Sequence, residues 1–259
     1  MDISVIIVNY QSQDKVLKCL DALSSADWGD LSREIIVVDN DSGDDLARVK
    51  EIFPEVKIIK SEKNLGMGGG NNLGAHNSSG EFILILNPDT VIKNEAILKL
   101  HRYLKENERA GIVGPKLLNP DGTLQYSCLR FPKIQTPILR RTFFGGLAPK
   151  QLDNFLMKDF DHAATRAVDW LMGSCFLIRR EILERDGYIF DEKYFMYFED
   201  TDLCRRVKEK HNCEVVYHPE AIVIHDHARA SAEKPWSIAP LVDPLTREHL
   251  KSWFRYFIG

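Results

Sequence analysis

Acidic residues set among aromatic rings form the densest chemical signal in this sequence: Phe190-Asp191-Glu192-Lys193-Tyr194-Phe195-Met196-Tyr197-Phe198-Glu199-Asp200-Thr201-Asp202. A carboxylate buried beside apolar rings loses hydration, its pKa rises, and it becomes able to act as a base near neutrality. Glu199, Asp200 and Asp202 also open a helical pattern, where any one of them can cap the N-terminus. Capping accounts for one acid, not for the whole cluster.

Three further clusters carry oxygen or nitrogen donors. Asn87-Pro88-Asp89 follows an apolar run over residues 82–86. Hard cations such as Mg²⁺ and Mn²⁺ take oxygen ligands, often one or two carboxylates together with substrate phosphates. Asp89 suits that use, although the tripeptide is also a common turn. His225-Asp226-His227 follows an apolar run over 221–224. Residues two apart share a face of a strand, so one or both imidazoles can reach a metal or a diphosphate. The glycine stretch from Asn64 to Gly74 is not a dinucleotide fingerprint, because from Gly66 the third glycine position is Asn71 and the segment follows the third strand. No Gly-Lys-Ser/Thr follows, which excludes a P-loop. Close backbone approach to a ligand and a ligand-free flexible loop remain open.

The elements that must position these groups are legible in the first half. Buried-strand runs at 3–8, 34–38, 56–59 and 82–86 alternate with helical spacing at 16–23, 46–53, 67–76 and 95–104. This order predicts a parallel sheet covered on both faces. Ligands bind such sheets outside the carboxyl ends of the strands. Asn9-Tyr10, Asp39-Asn40 and Asn87-Pro88-Asp89 all fall at those ends. In the second half, Asn119-Pro120-Asp121-Gly122 predicts a hairpin turn. Residues 131–162, rich in Pro, Gly and basic side chains, predict a mobile loop or small lobe. A strand at 174–178, a helix at 199–210, two short strands and a C-terminal helix follow.

The chain of 259 residues is expected to form one domain, with a nucleotide-binding half at 1–115, an acceptor and catalytic half at 116–240, and a C-terminal helix at 241–259. A net charge of -4 offers no basic field and argues against nucleic acid as a partner. Five scattered cysteines with no Cys-x-x-Cys predict reduced thiols and a cytoplasmic location. Neither a signal peptide nor a membrane span is read from the sequence. Leu250, Trp253, Phe254, Phe257 and Ile258 share a helical face flanked by Arg247, Lys251 and Arg255. Such a helix can lie peripherally on the inner face of an anionic membrane or pack on the core. The ending Phe257-Ile258-Gly259 reads as a truncation.

These pieces occur in a recognisable order. The chain resembles family 2 glycosyltransferases, specifically the bacterial rhamnosyltransferase-like branch. The resemblance rests on residues 5–10, 34–40, 64–74 and 86–90, on Trp170-Leu171-Met172-Gly173-Ser174, and on Phe198-Glu199-Asp200-Thr201-Asp202-Leu203-Cys204 with Arg206. His225, Ser231 and a Lys-Ser-x-x-Arg-Tyr segment complete it. It implies an α/β GT-A fold: a single Rossmann-like, mostly parallel sheet flanked by helices. It further implies an inverting, metal-dependent hexosyltransferase that uses a nucleoside-diphosphate sugar. By resemblance, Tyr10 stacks on the base and Asp39 accepts the N3–H of uracil or thymine. Asn64, Gly66, Asn72 and Asn87 complete the donor site. Asp89 and His225 hold Mn²⁺ or Mg²⁺. Asp200, with Glu199 beside it, is the general base, and Trp170 and Gly173 floor the acceptor side. Asn87 stands where the family's Asp-x-Asp motif has its first carboxylate. The branch favours dTDP-rhamnose as donor and a cell-surface or polyprenyl-diphosphate-linked saccharide as acceptor. A UDP-hexose or UDP-galactofuranose donor, or a non-catalytic nucleotide-sugar-binding protein, is the alternative. A nucleotidyltransferase would need a basic, glycine-rich signature after the first strand, and Asn9-Tyr10-Gln11-Ser12-Gln13 is neither.

Overall fold

The structure, a computed structural model, describes residues 1–141, 143–226 and 243–258. Four strands, β1 (Ile3–Asn9), β2 (Arg33–Asp39), β3 (Lys57–Lys60) and β4 (Phe82–Leu86), form the parallel half of the sheet in the order β3-β2-β1-β4. Helices α1 (Gln13–Ser24), α2 (Ala47–Ile52), α3 (Gly66–His76) and α4 (Ala96–Glu106) alternate with these strands. The elements lie where the apolar periodicity puts them, within a few residues.

Alternation along the strands assigns side chains to two separate cores. Ile3, Val5 and Ile7 pack with Val16, Leu20 and Leu23 of α1 and with Ile97 and Leu100 of α4. Ile6 and Val8 point the other way, into a second core that includes Ala75 of α3. Each fully buried aliphatic side chain contributes roughly 1.5–3 kcal/mol. A one-residue slip would exchange the two sets, so the register is strongly specified.

The second half completes a mixed sheet. Strand β5 (Thr90–Ile92) is followed by β6 (Ala110–Leu118), β7 (Leu124–Gln125) and β8 (Cys128–Leu129). After them come α5 (Thr136–Arg141), a 3₁₀ turn (Phe143–Leu147) and α6 (Pro149–Phe155). Strands β9 (Arg166–Val168), β10 (Trp170–Leu171) and β11 (Cys175–Arg179) lead into α7 (Arg180–Asp186) and α8 (Glu199–Glu209). The last described elements are β12 (Glu214–His225) and α9 (Pro244–Phe257). The sheet continues β4-β11-β6-β12-β5, with β11 antiparallel to both β4 and β6. Leu203, Cys204 and Val207 of α8 cover the second core.

One expectation is filled in and one needs correction. The stretch 131–162 contains α5, the 3₁₀ turn and α6, each too short for a helical period to stand out. The two short strands expected after α8 are one strand of 12 residues, whose pairing with β6 shifts register between His218 and Ile222. Pro219 falls in that shift, where a missing N–H is tolerated.

Candidate active site

The carboxyl ends of β1 and β2 are paired at Asn9 and Asp39. Asn9 is buried, and its Nδ2 donates to Ser42 Oγ and Asp44 Oδ2, both at 3.0 Å. Asp39 Oδ1 accepts from the Ser42 N–H at 3.1 Å and from Ser42 Oγ at 2.6 Å. Tyr10 follows the end of β1 and is 47% exposed. Asn40 donates to Asn64 Oδ1 at 3.1 Å and to the Gly66 carbonyl at 3.0 Å, and accepts from the Leu65 N–H at 2.9 Å. Asn64 is thus held at the mouth of the same crevice.

Gly66 and Asn72 are buried and work inside the fold. Gly66 has φ +77°, and a Cβ there would stand 2.1 Å from the Phe195 carbonyl oxygen. Asn72 Nδ2 donates to the Phe190 carbonyl at 2.7 Å, while its Oδ1 accepts the N–H groups of Ile189 and Phe190 at 3.1 and 2.9 Å. Both residues therefore clamp the 189–198 loop. The other glycines explain how α3 sits: a Cβ on Gly74 would be 2.5 Å from Ile6 Cγ2. The glycine stretch is a closely packed helix, not a loop.

The clamped loop delivers the acidic cluster. Tyr197 and Phe198 both adopt left-handed backbone, at φ 68° and 67°. Each such non-glycine residue costs on the order of 1–2 kcal/mol. Packing holds them: Phe198 lies 5.2 Å from Tyr256 of α9, and Ser252 Oγ donates to the Met196 carbonyl at 2.8 Å. Arg206 anchors the other side, bonding Asp202, Asp186 and the Ile189 carbonyl. Helix α8 then begins at Glu199 and Asp200, with its N-terminal dipole favouring carboxylates.

The two acids differ in their surroundings. Asp200 Oδ2 accepts the Gly173 N–H at 2.8 Å and its Oδ1 accepts the Thr201 N–H at 2.7 Å. Burial raises the Asp200 pKa, and those backbone donors oppose the rise. Glu199 Oε2 is buried with no hydrogen bond. Burial first, and then the Asp200 charge, push Glu199 up to about 8. Both carboxyls are raised by burial; Asp200 has backbone N–H donors that oppose its rise, whereas Glu199 is raised further by the Asp200 charge.

Asp89 lies past the end of β4. The Asn87 N–H donates to the Ser174 carbonyl at 2.8 Å, one residue from Gly173, so the Asp89 turn and Asp200 belong to one framework. Strand β5 pairs Thr90 with His225, and the Asp226 N–H donates to the Asp89 carbonyl at 2.9 Å. Asp89 Oδ1 is buried without a hydrogen bond and faces His225 Nε2 at 3.3 Å. Lys15 Nζ stands 3.6 Å from Asp89 Oδ2. Burial pushes Asp89 up, but His225 and Lys15 outweigh it and hold the carboxyl below its ordinary value. A carboxylate oxygen and an imidazole nitrogen that converge at 3.3 Å are groups of the kinds that ligate divalent cations. Among the described residues no third His, Cys, Asp or Glu joins them. His227 and Ser231 lie outside the described residues.

Residues 4–187 match the model of Glycosyl transferase family 2. The chain belongs to this family. It is 30% identical over 228 residues to the low-salt glycan biosynthesis hexosyltransferase Agl10 of Haloferax volcanii, covering 83% of this chain and 66% of that one. It is also 30% identical over 249 residues to the N-acetylglucosaminyl-diphospho-decaprenol L-rhamnosyltransferase of Mycobacterium tuberculosis, covering 90% and 78%. The structure resembles the mannosyltransferase PcManGT of Pyrobaculum calidifontis in complex with GDP-Man and Mn²⁺, with TM-score 0.61, 16% identity, and coverage of 89% of this chain and 58% of that one. At that identity the likeness carries the fold alone, and the fold is GT-A.

Within this glycosyltransferase, sequence reasoning missed Lys15 and Gln125. Lys15 is one of two lysines on α1 and carried no signal. Gln125 Oε1 lies 2.7 Å from His225 Nδ1 across a separation of 100 residues, and only the polar turn before it hints at its place. All five cysteines are free thiols. No described helix is long and apolar enough to cross a membrane. In α9, Trp253 and Phe257 pack against the aromatic cluster, while Phe254 and Ile258 stay exposed.

Proposed function

We propose that this protein is an inverting, metal-dependent glycosyltransferase that moves a hexose, most consistently rhamnose from dTDP-rhamnose, to a hydroxyl of a lipid-linked or cell-surface saccharide. The observation that supports the reading is Asp200: a buried carboxyl that accepts the Gly173 and Thr201 N–H groups beside Glu199, whose own pKa burial and the Asp200 charge raise to about 8. Asp200 takes the proton of the acceptor hydroxyl as that oxygen attacks the anomeric carbon. The bond from that carbon to the diphosphate breaks, its electrons leave with the diphosphate, and the configuration inverts. Tyr10 and Asp39 hold the base, Asn64 and Asn87 line the donor, and the segment from Trp170 to Gly173 floors the acceptor. Asp89 and His225 hold Mn²⁺ or Mg²⁺, whose chemistry there is to neutralise charge on the leaving diphosphate. Lys15 adds a fixed positive charge at the same place. Gly66 and Asn72 act indirectly, through the loop they clamp. Rhamnose is supported by the mycobacterial relative, whose name also supplies the polyprenyl-diphosphate acceptor class. The exposed Phe254 and Ile258 with Lys251 and Arg255 on α9 suit a peripheral membrane contact near such an acceptor.

Thermal unfolding with dTDP, UDP, GDP and ADP, each with and without Mn²⁺, tests the donor site. A ligand at about 100 times its Kd adds roughly 2.7 kcal/mol. At about 2–4 °C per kcal/mol the midpoint rises by several degrees. The expected result is a Mn²⁺-dependent rise with dTDP or UDP alone, lost in Asp89→Ala. A folded protein that responds to none of the four overturns the reading.

A further inference from the structure

Helix α9 has two unlike sides. Its packed side supports the acidic loop: Ser252 Oγ donates to the Met196 carbonyl and Tyr256 lies against Phe198. At the margin, the Arg255 guanidinium donates to the Lys193 carbonyl. Its outer side carries Arg247, Lys251, Phe254 and Ile258, all exposed. These positions are spaced by four, three and four residues, so they form one stripe along the helix. Phe254 is 54% exposed and Ile258 is 58% exposed. The helix contains a single acid, Glu248, and Lys251 pairs with it.

A second segment borders this helix. The Trp253 indole N–H donates to the Ile134 carbonyl at 2.9 Å and so holds the chain before α5 against α9. Ile134 is 48% exposed, and Lys133 beside it is exposed too. Both lie within residues 122–152, which hold five Lys and Arg and no Asp or Glu, in a chain whose net charge is -4. Three large apolar side chains, from segments more than 100 residues apart, therefore stand in water among cations.

A partner for this surface has to take apolar side chains and neutralise positive charge together. A second copy of the chain would bring the same cations against these, which like-charge repulsion disfavours. An anionic bilayer does both: the acyl boundary takes Ile and Phe, and the headgroups take Lys and Arg.

We propose that the outer stripe of α9, joined by Lys133 and Ile134, is a docking face for an anionic lipid bilayer, and that α9 thereby tethers the loop bearing Glu199 and Asp200 to the membrane surface. The proposal deepens, and rests on, the reading of a lipid-linked acceptor given above. It adds a second segment to the contact and names the lipid charge that the contact requires.

Sedimentation of the whole chain with vesicles tests this, without donor, acceptor or metal. Vesicles of phosphatidylcholine alone are compared with vesicles that also contain phosphatidylglycerol. Wild type should bind the mixed vesicles and not the neutral ones. Raising salt from about 0.1 M to about 1 M shortens the screening length from about 10 Å to about 3 Å and should release it. Each Lys or Arg near an anionic surface is worth about fivefold in partitioning, so Lys133→Gln with Lys251→Gln should weaken binding about 25-fold. Phe254→Ser with Ile258→Ser should weaken it by about tenfold or more. Melting curves check that both double variants fold, and either one alone suffices for the test. Equal binding to both vesicle types overturns the proposal, as does no binding to either. Double variants that bind like wild type place the contact elsewhere and overturn it too. A wild-type dimer by light scattering that Phe254→Ser with Ile258→Ser turns into a monomer gives the face to a second copy and overturns it as well. Failure here is distinguishable from failure of the glycosyltransferase reading, because the nucleotide-induced rise in Tm is measured without vesicles.

Discussion

The Gly173 N–H donates to Asp200 Oδ2 at 2.8 Å, and a Cβ on Gly173 would stand 3.3 Å from that same oxygen. The contact that steadies the proposed base therefore also bars a side chain. Gly173→Ala should push the carboxylate aside by a few tenths of an ångström. A 1 Å misplacement can cost about 10²-fold in rate, so a drop of about 3–10-fold in kcat is expected. Steady-state kinetics beside a melting curve checks this, and an unchanged kcat would show that the carboxylate position is not critical.

Asp200→Asn keeps the shape and removes the base. Turnover should fall by about 10²–10⁴-fold, with the nucleotide-induced rise in Tm retained. Glu199→Gln imitates a carboxyl that is already protonated, and its turnover should stay within about tenfold of wild type. A radiolabelled sugar-transfer assay on both variants decides the assignment, and the reverse ranking would hand the role of base to Glu199.

Glu199 also makes a stability prediction. Its folded pKa of about 8 lies above the ordinary value of 4.5. The unfolded chain therefore releases this proton first as pH rises. Stability associated with the group is fully present below about pH 4.5 and is lost as pH climbs through about 8. Glu199→Gln cannot ionise, so it should raise Tm relative to wild type more at pH 8 than at pH 5. Equal offsets at the two pH values would contradict the raised pKa.

Gly66 answers to the 189–198 loop. Its φ of +77° and the 2.1 Å approach of a Cβ to the Phe195 carbonyl leave no room for alanine. Gly66→Ala should cost about 2 kcal/mol or more, by strain at positive φ and by displacing the loop. Urea unfolding reads the loss directly, and a midpoint within error of wild type would mean that the loop gives way easily. Activity should fall further than stability alone explains, since the same loop carries Glu199 and Asp200.

Continuous apolar runs such as 3–8 and 82–86 must be buried whatever surrounds them, which is why β1 and β4 were legible without a structure. The polar residues at their ends, Asn9 and Asn87 to Asp89, were legible as a site because a parallel sheet gathers its strand ends on one side. Helices α5 and α6 were not, since six or seven residues hardly complete two helical turns. Strand β12 reads as two short strands in the sequence because Pro219 interrupts it, and the folded sheet absorbs that interruption as a register shift.

The sequence by itself determined the alternating frame, the strand-end polar groups and the order of motifs that carries the family, because these depend on local hydrophobic period and residue type. Only the tertiary structure decided that Gly66 and Asn72 clamp a loop, that Asp200 has backbone donors while Glu199 Oε2 is buried without one, and that Gln125 meets His225. Those outcomes depend on which groups are brought within about 3 Å of one another and which are denied water, and residues 100 apart acquire that relation only when the sheet closes.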